Sequence, residues 1–176
     1  MENIKIFLGG TCNESKWREK VKSQLFTDIP VTLFDPVVDN WTPECIEIEN
    51  REKESADILL FVITSRMQGV YSIAEAVDIS NKHPDKLVFC VLPMEDIDYR
   101  GFTAAELKSL EAVKELIANN GCAVLNTFDD MIEYVEDFCY LKSVEKDLQI
   151  DTTEINCKIL ERYNPKGEKI DGSKHE

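Results

Sequence analysis

Short, almost wholly apolar runs alternate along the chain with longer stretches in which apolar residues recur at helical spacing. "IKIFLG" (4–9) reads as a strand and "NESKWREKVKSQLF" (13–26) as a helix. "VTLF" (31–34) is a second strand and "TPECIEIENREKESA" (42–56) a second helix, with Thr42 suited to its N-cap and Pro43 to its first turn. "DILLFVI" (57–63) is apolar at nearly every position, the pattern of a central strand covered on both faces. "SIAEAVDISNK" (72–82) follows as a helix and "KLVFCVL" (86–92) as a strand. "TAAELKSLEAVKELIANNG" (103–121) is a long helix with Gly121 at its C-terminal end. "CAVLNT" (122–127) and "FDDMIEYVEDFCY" (128–140) complete the series.

Five strands separated by helices predict an α/β fold: a parallel, flavodoxin-like sheet of order 2-1-3-4-5 with helices on both faces and right-handed crossovers. In such a sheet ligands bind beyond the strand C-termini, where strands 1 and 3 diverge. The loops that meet there are "GGTCNES" (9–15) and "TSRMQGVYS" (64–72). Beyond Tyr140 the pattern changes. Residues 1–140 are expected to form one domain, and 141–176 a helical extension ending in a flexible polar tail.

Net charge narrows the partners. At −14 over 176 residues, the chain is expected to bind neither nucleic acid nor an anionic membrane, because both would repel it. No apolar run approaches the roughly 20 residues of a membrane span, and the start predicts no secretory leader. The six cysteines form no CxxC pair, and with only two histidines a cysteine–histidine zinc site is not expected. Reduced, mostly buried thiols and a cytoplasmic location are the corresponding expectations.

The first loop lacks G-x-G-x-x-G and is not a phosphate loop, which argues against ordinary nucleotide dehydrogenases and NTPases. Ser72 and Glu75 match S-x-x-E, the capping box in which each side chain satisfies the other's backbone amide. Gly69 fits a turn. Asp39 and Trp41 follow strand 2 toward the same crevice; Trp41 suits either stacking on a base or covering the sheet end. The acids of the second helix read as a solvated face.

Three stretches, "IFLGGTCNESKWRE", "FDPVVDNWTPE" and "ADILLFVITSRMQGVYSIAEAVD", resemble the nucleoside 2-deoxyribosyltransferase-like family over roughly residues 3–140. This Rossmann-like group includes transferases and deoxynucleoside-monophosphate N-glycosidases. The resemblance implies that Glu75 attacks the anomeric carbon of a deoxyribose, since a carboxylate can trap the oxocarbenium character left by a departing base. It implies that Glu49 contacts the base and that Gly9, Gly10 and Thr11 shape the sugar side. It further implies that Ser72 and the amides after Gly69 receive a 5′-phosphate at the helix N-terminus. It implies a small-molecule nucleoside or nucleotide ligand, no metal or redox cofactor, and a homodimer that completes the pocket. Two positions depart from the family pattern. A tyrosine that orients the nucleophile is replaced by Phe7, and an aspartate that serves the base is replaced by Gly69, with Tyr71 the nearby source of a hydroxyl. These losses favour hydrolysis over base exchange, and leave open a module that senses a nucleotide without turning it over.

Overall fold

The computed structural model describes residues 3–40, 42–95 and 100–163. Among these, the five strands are β1 (Ile4–Gly10), β2 (Val31–Phe34), β3 (Ile58–Thr64), β4 (Leu87–Leu92) and β5 (Ala123–Leu125). The helices are α1 (Trp17–Gln24), α2 (Pro43–Ser55), α3 (Tyr71–Lys82), α4 (Ala104–Asn119), α5 (Phe128–Leu148) and α6 (Thr153–Tyr163). The strands form one parallel sheet in the expected order β2-β1-β3-β4-β5. Each β–α–β unit returns the chain in the same direction, which is why no hairpin is needed.

Strand alternation sorts the core into two layers. Ile4, Ile6 and Leu8 of β1 join Ile58, Leu60 and Val62 of β3 on one face, covered by Trp17 and Val21 of α1 and by α5. Phe7 joins Leu59, Phe61 and Ile63 on the other, beneath Ala76 of α3 and Leu110 and Ile117 of α4. α2, every residue of which is described, buries none of its side chains. Between it and α3 a gap remains, lined on its side by Ile46, Glu49, Asn50 and Lys53.

Two elements differ from the expected spans. α1 starts at Trp17 because Asn13 and Glu14 take left-handed backbone angles (φ 37° and 64°), and Ser15 N–H donates to Cys12 C=O to close a turn. α5 runs through Tyr140 to Leu148 without a break and ends on a left-handed Gln149. Beyond Tyr140 it still buries Leu141 and Ser143, and Lys146 donates to the Asp57 carboxylate at 2.8 Å. Ile159, Leu160 and Tyr163 of α6 pack on the same core layer. The polar tail from residue 164 lies outside the described residues.

α4 opens with a complete capping box: Glu106 N–H donates to Thr103 Oγ1 at 3.2 Å, and Thr103 N–H donates to Glu106 Oε2 at 2.7 Å. Arg100 clamps the same carboxylate from its two terminal guanidinium nitrogens, and with Thr103 holds Glu106 down to about 2. Thr103→Ala is expected to cost about 1 kcal/mol, or roughly 3 °C of melting temperature. A carboxyl depressed in the fold contributes stability above its unfolded value, near 4.3, and loses it as pH falls toward the folded one. The deficit measured by thermal melts should therefore hold from neutral pH to about pH 4 and shrink below it. A deficit that does not change down to pH 2 would separate Thr103 from Glu106.

Candidate functional site

The end of β1 is shaped by two glycines for two different reasons. A Cβ on Gly9 would meet the Phe61 ring at 2.6 Å. Gly10 has φ +110°, and a Cβ there would stand 2.0 Å from the Val62 carbonyl oxygen. Thr11 then extends the ladder with both its groups. Its N–H donates to Val62 C=O, and its Oγ1 accepts from Thr64 N–H, each at 2.9 Å. The short turn at 12–15 brings Trp17 and Arg18 back beneath this strand end. Trp17 Nε1 donates to Thr11 C=O at 2.8 Å. Arg18 donates to the carbonyls of Leu8 (3.1 Å), Thr11 (2.6 Å) and Gly10 (3.3 Å). Burial pulls the Arg18 guanidinium below its ordinary value, against the opposing pull of Cys12 and of Asp35, whose Oδ1 lies 3.4 Å from Nε. An arginine keeps its charge through such a shift.

Across the gap, α3 begins at Tyr71 with Val70 as its N-cap and no side-chain cap. Ser72 and Glu75 therefore sit too far into the helix to form the S-x-x-E capping box, which needs its first member at the N-cap. The structure uses both side chains elsewhere. Ser72 Oγ donates to Gly10 C=O at 3.4 Å. Glu75 Oε1 accepts from Lys53 Nζ of α2 at 2.5 Å. Lys53 also lies 3.2 Å from Glu49 Oε1, one turn earlier on α2, and 5.7 Å above the Phe7 ring. Burial lowers the affinity of Lys53 for its proton, but the hydrogen bond and charge of Glu75, then of Glu49, outweigh it, and its pKa is raised.

These groups line a cavity of about 510 Å³ at the C-terminal side of the sheet, within the usual size of small-molecule sites. Phe7, Gly9, Gly10, Glu49, Tyr71, Ser72 and Glu75 all contribute to it, so most of the residues singled out in the sequence come together. Thr11 and Gly69 line a smaller adjoining space of about 150 Å³, which shares Gly10, Tyr71 and Ser72 with the first. Asp39 is exposed and lines neither. Trp41 lies outside the described residues. At Gly69 a Cβ would find open space within 4 Å, so the loop has room for a side chain that this sequence does not supply.

Arg18 and Lys53 also line the larger cavity and were missed in the sequence reading. The spacing of Glu49 and Lys53 marks them as an i, i+4 helix pair, yet nothing in it says that this pair faces Glu75. Of the six cysteines, all unpaired, Cys90, Cys122 and Cys139 are buried, while Cys12 and Cys157 are exposed. Mostly buried thiols were expected; half are. Burial pushes the thiols of Cys122 and Cys139 up to about 12, which keeps them inert. Among the described residues, no cluster of His, Cys, Asp and Glu is placed to hold a metal, and no helix is long and apolar enough to cross a membrane.

Residues 3–94 match the family model described as "Nucleoside 2-deoxyribosyltransferase like". The match contains β1, the Glu49–Lys53 helix, β3 and Glu75. No curated protein matches the chain.

Proposed function

The chain belongs to the nucleoside 2-deoxyribosyltransferase-like family, and from that premise we propose that it cleaves the N-glycosidic bond of a deoxynucleoside or its 5′-monophosphate, with Glu75 as nucleophile. One observation carries this reading: Glu75 is used neither as a helix cap nor as a solvated surface charge, but stands in the wall of the cavity. A carboxylate in that place can form a bond to the anomeric carbon as the base departs, and water can then displace the sugar. The glycine-lined end of β1 suits close approach of a sugar. The N-terminus of α3, at Ser72 and the neighbouring amides, suits a 5′-phosphate. Glu49 stands in the same wall, on the α2 side.

Hydrolysis is favoured over transfer to a second base. Phe7 has no hydroxyl to offer, and the open space at Gly69 leaves the base without a side-chain acid from that loop. A homodimer is part of this reading, supported by exposed Val37, Val38, Ile46 and Tyr71 along the cavity wall, an apolar border that a second copy would cover. The 2.5 Å bond from Lys53 favours a second reading, in which the paired Glu75 only binds a nucleotide and the protein acts as a sensor.

One experiment separates the two. The protein is incubated with the four common 2′-deoxynucleosides and their 5′-monophosphates, and free base is measured by chromatography. Catalysis predicts base release from at least one of them, with no acceptor base required. Saturable binding without any release would establish the sensor instead.

A further inference from the structure

Among the described residues, Lys53 is the one cation shown in contact with two acids of the cavity wall, Glu49 and Glu75. Its ammonium is 2.5 Å from Glu75 Oε1 and 3.2 Å from Glu49 Oε1, and the face of Phe7 lies beneath it. Lys53 and Glu75 side chains are only 16% and 15% exposed, so water does little to replace a lost partner. The two acids reach it from different elements. Glu49 shares its helix and rides with it, whereas Glu75 arrives from α3 across the cavity.

We propose that Lys53 is a positioning residue that aims the Glu75 carboxylate and is balanced by Glu49 alone while Glu75 is esterified. The inference rests on the reading of Glu75 as nucleophile. In the first step a C1′–O bond forms to Glu75 as the C1′–N bond breaks. The electron pair leaves with the base, which takes up a proton from solvent. Glu75 is then a neutral ester and can no longer balance an ammonium. Stripping one partner from an ion pair so shielded from water is unfavourable. Glu49, already 3.2 Å away, holds the charge until water displaces the sugar, releases a proton and restores the carboxylate. The raised proton affinity of Lys53 fits a cation that orients and balances charge rather than one that protonates the base.

The test is a double-variant cycle on base release from the same deoxynucleosides and monophosphates. Lys53→Met should lower kcat about 100-fold, because a nucleophile misplaced by an ångström loses that much, while KM stays within about threefold. Lys53→Arg, which keeps the charge, should recover about tenfold of the loss; Lys53→Gln should behave like Lys53→Met and replaces it if that variant does not fold. Glu49→Gln should slow kcat about tenfold in the wild-type background, yet less than about twofold beside Lys53→Met, since Glu49 acts through Lys53. Equal losses in both backgrounds would mean that Glu49 meets the substrate itself, which overturns its balancing role. If Glu75→Gln is inactive but Lys53→Met keeps kcat within about threefold, the inference fails and the nucleophile stands. If Glu75→Gln still releases base, or the wild type releases none from any of these compounds, both fail together.

Discussion

Glu75→Gln is expected to fold like the wild type, to bind ligand and to release no base. The amide has the size of the carboxylate and an oxygen that still accepts from Lys53, while Glu49 continues to balance the lysine charge. Melting should therefore shift by no more than a few degrees. Chemistry has no such substitute, because a neutral amide cannot form the glycosyl ester; losses of at least several hundred-fold are typical when a group of this kind is removed. A 2-deoxy-2-fluoro nucleoside, which slows breakdown of the intermediate, should leave a sugar adduct on the wild-type Glu75 peptide by mass spectrometry and none on the variant. Base release that persists in Glu75→Gln, or an adduct mapped to another residue, ends the nucleophile assignment.

The second large effect belongs to stability. Gly10→Ala should destabilise the protein by about 4 kcal/mol or more, the size reserved for steric conflict and forced backbone strain. At roughly 3 °C per kcal/mol for a chain of this length, the melting temperature falls by about 12 °C or more. The cause is double. A φ of +110° is one that side-chain-bearing residues rarely adopt, and the new methyl would collide with the Val62 carbonyl oxygen, which is backbone in the middle of the sheet. Relief would require separating β1 from β3 where Thr11 N–H meets that same oxygen. Gly9→Ala meets only a ring edge of Phe61 in the core, so it provides the comparison: it should lose less stability than Gly10→Ala. Equal melting of the two variants would show that the backbone conformation at Gly10 is not the source of the loss.

The sheet was legible because each strand is a dense apolar run bounded by polar turns, and alternation with helices leaves few ways to connect parallel strands. Helix limits were less so. Nothing in "NES" announces that Asn13 and Glu14 turn left-handed, and the end of α5 depends on Leu141 and Ser143 finding the core, which is a tertiary matter. At the site, the S-x-x-E signal misled for a definable reason: its meaning depends on where the helix starts, and α3 starts before Ser72. Resemblance singled out Glu75, but its partner lies 22 residues away on α2, and only the rotation of that helix brings Lys53 to it. Arg18 was missed in the same way. Its role is to collect three carbonyls at the end of β1, and carbonyls leave no mark in a sequence.

Because α2 buries no side chain, it is held largely by polar contacts: Lys5 with Glu52 and Ser55, and Lys53 with Glu75. Elements with little buried apolar surface are the first to open in native-state fluctuations. Its amide protons should thus exchange far sooner than those of the fully buried β3. A ligand that bridges α2 and α3 adds its own binding free energy to the closed form and slows that exchange. The wall of the cavity is in this sense a built-in gauge of its occupancy, readable by hydrogen–deuterium exchange with any candidate compound, whether or not the compound reacts.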